Sequence, residues 1–212
     1  MKTFYLMRHG QTRFNLQGRI QGACDSPLTE LGIEQAKAAR RHFEEEGITF
    51  TRVYSSTQER ACDTAELATG RDDYIRLKGI KEMDFGSYEA HQEYLNPPVH
   101  REDGSGYRDF FVRYGGESNV QVYERMERSI CEVLNQSKDD ETLLFVSHGG
   151  AITQFYLHVT KNPPVLKKRM SNCAILEIAY DGTDMEVKSI YNPVDQEYVF
   201  KRDNKAADSS LF

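Results

Sequence analysis

Thr142-Leu143-Leu144-Phe145-Val146-Ser147-His148-Gly149-Gly150 is the stretch that decides the fold. Its apolar half runs without alternation, which fits a strand covered on both faces. Such strands belong to parallel sheets sandwiched between helices. The run then breaks at Ser147-His148-Gly149-Gly150, and Ile152, Phe155, Tyr156 and Val159 follow at helical spacing until Pro163-Pro164. The N-terminus repeats this switch: Phe4-Tyr5-Leu6-Met7 reads as a short strand that ends at Arg8-His9-Gly10.

Between these two switches the chain alternates. Thr29 reads as an N-cap for a helix with Ala36, Ala39 and Phe43 on one face and Gly47 as its stop. Residues 52–55 read as a strand. Ser56-Thr57-Gln58-Glu59 has capping-box spacing, which predicts a helix from there through Ala68, and residues 74–77 suggest another strand. Ser118 and Gln121 make a second capping box ahead of a stripe of Val122, Met126, Ile130 and Val133. Residues 174–180 and 185–191, joined through Asp181-Gly182, resemble a hairpin, and residues 198–200 add a short strand.

The expected architecture is a single α/β domain over 1–212: a three-layer α/β/α sandwich with a mostly parallel central sheet. An aromatic, Gly- and Pro-punctuated helical and loop insertion spans about 83–117. A polar tail, expected to be mobile, spans about 201–212.

With 212 residues, 39% hydrophobic and 28% charged, the chain has the composition of a globular protein with a sizeable core. A formal net charge of −6 argues against a general nucleic-acid binder. No stretch has the pattern of a secretory signal or the length to cross a membrane, so a cytoplasmic location without membrane partners is expected. The four scattered cysteines, Cys24, Cys62, Cys131 and Cys173, read as reduced, buried structural thiols.

In open α/β sheets ligands bind beyond the carboxyl ends of the strands. His9 and His148 sit at two such ends, each followed by a glycine. Gly149 also opens a helix, whose N-terminal N–H groups can face an anion. Arg8 adjoins His9, and Arg60 stands near the start of a helix that follows a strand. A guanidinium fork suits a phosphate group. No His-x-x-x-His or Cys-x-x-Cys pair exists, and His91 with His100 is a loose couple, so neither metal nor cofactor is expected.

Arg8-His9-Gly10-Gln11-Thr12 with Asn15 resembles the signature of the histidine phosphatase superfamily, which includes the cofactor-dependent phosphoglycerate mutases. The likeness extends through Gly18-Arg19-Ile20-Gln21-Gly22, Asp25-Ser26-Pro27-Leu28-Thr29 and Gly32. It continues in Ser55-Ser56, Arg60-Ala61, Thr64-Ala65, Glu82 with Phe85-Gly86, Gly115-Gly116-Glu117-Ser118 and Ser147-His148-Gly149-Gly150. The resemblance implies that His9 attacks phosphorus, that Arg8, Arg60 and His148 hold the phosphoryl oxygens, and that Glu82 exchanges the proton with the leaving group and then with water. Asn15, Gln21, Gly22 and Gly149 are expected against the substrate.

Two departures matter. Many phosphatases of this family carry a tryptophan and a glycine after the carboxylate, where this chain reads Gly86-Ser87-Tyr88-Glu89-Ala90 and has no tryptophan at all. The mutases carry an insertion with paired arginines, where this chain has dispersed Arg101, Arg108 and Arg113. The reading that follows is a metal-independent phosphatase for a small-molecule phosphomonoester. The alternatives are a phosphoglycerate mutase and a non-catalytic phospho-ligand binding domain.

Overall fold

The computed structural model describes residues 1–95, 107–166, 168 and 170–202. Seven strands form one sheet: β1 (Lys2–Arg8), β2 (Arg52–Ser56), β3 (Ile75–Leu77), β4 (Leu143–Ser147), β5 (Ile175–Tyr180), β6 (Met185–Asn192) and β7 (Glu197–Lys201). Their order is β3-β2-β4-β1-β5-β6-β7. The first four of that order run parallel, and β5, β6 and β7 continue antiparallel from β1. The sheet is therefore mixed: the C-terminal hairpin and β7 build a full antiparallel half.

Helices α1 (Arg13–Leu16), α2 (Glu30–Glu45), α3 (Glu59–Thr69), α4 (Asn119–Gln136) and α5 (Gly149–Val159) complete the layers. Every residue of β4 is buried. Leu143 and Phe145 pack with Phe4, Met126, Ile130, Ile152 and Phe155 on the α4/α5 side. Leu144 and Val146 pack with Met7, Ala36, Ala39, Ala61 and Ala65 on the α2/α3 side. Each such buried Leu, Val or Phe contributes roughly 2 kcal/mol. The unbroken apolar run of β4 thus serves two cores at once.

The Thr29 cap forms, with its hydroxyl accepting from Gly32 N, and so does the Ser118–Gln121 capping box. The box expected at Ser56 does not. The N-cap of α3 is Gln58, without a side-chain cap bond, because Ser56 ends β2 and its hydroxyl turns to His148. The described part of the insertion holds short 3-10 turns at Gly86–Tyr88, Glu93–Leu95 and Val112–Tyr114. Phe85, Tyr88 and Phe110 pack around the fully buried Phe111 there. Pro97-Pro98, His100, Arg101, Gly104 and Gly106 lie outside the described residues, as does the tail from 203. Lys201 and Arg202, expected in that tail, instead extend the sheet: Lys201 ends β7, and Arg202 N donates to Lys188 O (2.9 Å). Cys62 and Cys173 are buried, but Cys24 and Cys131 are only half-buried; all four are free thiols.

One register positions the site. β1 and β4 pair in parallel from Phe4↔Leu143 to Arg8↔Ser147, so His9 and His148 are both the first residue past the paired ends. His9 N still donates to Ser147 O (2.9 Å). Gly10 is required at the next step: a Cβ there would lie 2.5 Å from the Gly32 carbonyl oxygen.

Candidate active site

Both histidines are buried, with ring centroids 5.1 Å apart. His9 Nδ1 lies 2.7 Å from the Gly10 carbonyl. A carbonyl only accepts, so the proton sits on Nδ1 and Nε2 keeps its lone pair. The His9 pKa is held well below the ordinary imidazole value, first by burial and then by the Arg60 and Arg8 charges. Asn172 Nδ2 (3.1 Å) donates to the His9 carbonyl, and Gly10 N (3.0 Å) donates to Thr64 Oγ1, which fixes the backbone under the ring.

Arg8 is the open cation. Its Nη1 donates to Met170 O (3.2 Å), while its Nε is buried with no hydrogen-bond partner. Burial pulls its pKa below the ordinary arginine value, partly offset by the Glu82 charge. A buried charged donor left without a partner is costly, and an incoming anion removes that cost.

Arg60 is the opposite case. It is fully buried, and every N–H has a protein acceptor. Nε donates to His148 Nδ1 (3.1 Å), Nη1 to Cys24 O (2.9 Å) and Asp25 Oδ1 (2.8 Å), and Nη2 to Gly22 O (3.0 Å) and Gln21 O (3.4 Å). The direct grip on a phosphoryl group expected of it is absent from this arrangement, since no donor is left over. Its charge acts on both imidazoles from behind. His148 accepts at Nδ1, so its Nε2 carries the proton and donates to Ser56 Oγ (2.7 Å). Burial, then Arg60, then His9 hold its pKa well below the ordinary value.

Glu82 is buried at the start of α5. Its Oε2 accepts from Gly150 N (2.9 Å), and its Oε1 accepts from Ala151 N (2.7 Å) and its own neighbour Met83 N (2.8 Å). The helix N-terminus expected to face a bound anion therefore already holds the chain's own carboxyl group. Arg125 Nη2 (2.9 Å) donates to the Glu82 carbonyl and pairs with Glu117, which steadies the segment from outside.

These groups open on a cleft of about 780 Å³ lined by Arg8, His9, Asn15, Gln21, Glu82 and Gly149, with Arg19, Glu93 and Lys168 among its other walls. Asn15 Oδ1 accepts from Thr12 N (3.2 Å), which makes the far end of its amide the donor end. Gln21 is largely spent: its Oε1 accepts from Thr12 Oγ1 (2.5 Å) and its Nε2 donates to Ser26 Oγ (3.0 Å). Gly22, expected against substrate, is not among the cleft residues. Its N–H donates to Glu89 (3.1 Å) and its carbonyl serves Arg60. Another cleft of about 730 Å³, between Pro27 and Asp72, contains none of these groups. Among the described residues, no set of three or more His, Cys, Asp or Glu side chains is arranged to hold a metal ion. Nor is any helix among them long and apolar enough to cross a membrane.

Sequence reading missed Ser56, Asp25, Gln58, Thr64 and Asn172 as supports of the site. Ser56 and Asp25 stood inside quoted motifs, but their partners lie 92 and 35 positions away and leave no local pattern.

The family model for the histidine phosphatase superfamily (branch 1) matches residues 4–193. The chain belongs to that superfamily. Relatives of this superfamily member include a probable phosphoglycerate mutase GpmB of Proteus mirabilis, 33% identical over 191 residues (86% of this chain, 87% of the relative). A metal-independent phosphoserine phosphatase of Arabidopsis thaliana is 32% identical over 163 residues (74% and 68%). Among solved structures, a phosphoserine phosphatase mutant from Entamoeba histolytica in complex with phosphoserine superimposes with a TM-score of 0.72 at 27% identity (90% of this chain, 96% of that one). A phosphoglycerate mutase from Bacillus anthracis shares the fold, with a TM-score of 0.76 at 23% identity (88% and 91%).

Proposed function

We propose that this histidine phosphatase hydrolyses small phosphomonoesters, without a metal, through a phosphohistidine on His9. The observation that carries the reading is a pairing in one cleft: a buried imidazole whose Nε2 lone pair is free, beside an arginine whose Nε has no partner. Neutral imidazole is the nucleophilic form, and the two guanidinium charges favour it until a phosphate enters. Arg8 and the Asn15 amide then take phosphoryl oxygens, while Arg60 and His148 add electrostatic support from the buried side.

In the first step His9 Nε2 forms the N–P bond as the ester P–O bond breaks, and the departing alkoxide takes a proton from Glu82. In the second, water attacks phosphorus, Glu82 takes its proton, and the N–P bond breaks to release phosphate and restore His9. Glu82 Oε2 accepts one N–H where Oε1 accepts two, so Oε2 is the oxygen with room to carry that proton.

The mutase reading shares the first step, and the relative named a probable mutase keeps it in view. Hydrolysis is favoured because the described cations lining the cleft are Arg8, Arg19 and Lys168, and Lys168 is already paired with Glu197 (2.6 Å). Arg113 lies over the Phe110 and Tyr114 rings. The test is phosphate release over many turnovers from a panel that includes phosphoserine and 3-phosphoglycerate. Steady release supports the proposal. Rapid interconversion of phosphoglycerates with negligible phosphate would overturn it.

A further inference from the structure

The segment after Glu82, Gly86-Ser87-Tyr88-Glu89-Ala90, contains a carboxylate that the mechanism above does not use. Glu89 accepts four backbone N–H groups. Oε1 takes Ala23 N (2.8 Å) and Phe85 N (2.8 Å), and Oε2 takes Gly22 N (3.1 Å) and Cys24 N (3.0 Å). The two segments it joins have different duties. Residues 21–25 supply the carbonyls and the carboxylate that receive four of the five Arg60 N–H groups. Residues 82–85 begin with the proton-transfer group.

Their contact is close: a Cβ on Gly22 would lie 2.1 Å from the Met83 carbonyl oxygen. Gln58 makes a second tie at the same place. Its Nε2 donates to Gly22 O, and its Oε1 accepts from Glu82 N (2.9 Å). Neither segment is held here by sheet or helix bonds of its own; Arg125 and the α5 N-terminus hold residue 82 from its far side, and Glu89 and Gln58 are the side chains that tie the two segments to each other.

We infer that Glu89 is a positioning residue that registers Glu82 against the Arg60 cradle, and that it acts on catalysis through Glu82. This rests on the phosphatase reading, in which Glu82 protonates the leaving group. Replacing one carboxylate oxygen with an NH2 group turns that donor toward two backbone N–H groups that then have no acceptor. Glu82 keeps its contacts with α5 but loses its registration, so slow-leaving alkoxides suffer and fast-leaving phenolates do not.

The experiment compares Glu89→Gln, Glu82→Gln and the double variant on an alkyl phosphate and on p-nitrophenyl phosphate, with melting curves for each. Glu89→Gln is expected to lower kcat/KM roughly 30-fold on the alkyl ester and less than about 3-fold on the aryl ester. The double variant is expected to be no slower on the alkyl ester than Glu82→Gln alone. Glu89→Asp, which keeps the charge but shortens the reach, is expected to show the same preference between esters and serves if Glu89→Gln does not fold. Equal losses on both esters, or additive losses in the double variant, would reduce Glu89 to a fold-stabilising residue and overturn the inference. A wild-type protein that released no phosphate from either ester would instead count against the phosphatase reading itself.

Discussion

The adjacent ends of β1 and β4 carry the same kind of sequence, a histidine followed by glycine, yet they finish in opposite states. At β1 the polar groups are open: His9 Nε2 has a free lone pair and Arg8 Nε has no partner. At β4 the side chains are taken. Both ring nitrogens of His148 are bonded, Arg60 has given all its donors to protein, and the first turn of α5 is capped by Glu82. Open donors need a ligand to satisfy them, so they are where binding energy is available. Closed ones are already satisfied and instead shape the field and the geometry at their neighbour.

The largest effect should come from the open end. Arg8→Ala removes the guanidinium in the cleft whose buried Nε has no partner, and kcat/KM for a phosphomonoester should fall on the order of 1,000-fold with little change in melting temperature. A loss confined to a few fold would mean that the phosphate is held elsewhere.

At the closed end, Ser56→Ala strands the His148 Nε2 proton. Stability should drop by about 2 kcal/mol in urea titrations and activity by only about 10-fold. If activity fell as far as in Arg8→Ala, the distinction between the two ends would not hold.

Acid provides a finer probe. The pKa values of His9 and His148 are both held well below 6.5 in the fold, while the unfolded chain protonates both near that value. Below pH 6.5 the unfolded state therefore binds more protons, and stability falls as pH falls until the folded pKa values are reached. Each histidine contributes a slope of about 1.4 kcal/mol per pH unit, so His9→Asn should remove one such share. An unchanged slope in that variant would contradict the depressed His9 value.

The smallest effect concerns the turn beside Glu89. Ala90 has φ 64°, in the left-handed region that favours glycine. Ala90→Gly should therefore raise stability by about 1 kcal/mol without slowing turnover. A destabilised variant would mean that the Ala90 methyl group contributes more packing than its backbone strain costs.

How much of this was legible follows from the range of the interactions. The buried run of β4, the caps at Thr29 and Ser118 and the α4 stripe of Val122, Met126 and Ile130 are set by neighbours within a few residues and read correctly, although the stripe ends on the buried Leu134 rather than on the half-buried Val133. Ser56 misled because its hydroxyl obeys a partner 92 residues away rather than its local capping pattern. Arg8 and His9 were legible as neighbours in one cleft because ligand clefts of α/β sheets lie beyond the strand ends. The sequence placed a helix N-terminus at Gly149, but nothing in it said that Glu82, 68 positions before Gly150, would occupy that terminus. Gly22 was expected at the substrate for its motif, yet the two segments that press on it give it a structural duty.

The most direct test of the open end is to trap the covalent intermediate. Rapid quenching into alkali with a 32P-labelled substrate, followed by peptide mapping, should yield an acid-labile, base-stable phosphoryl group on the peptide containing His9, and none in His9→Ala. Turnover in His9→Ala at the wild-type rate, or label on the peptide containing His148, would contradict the account.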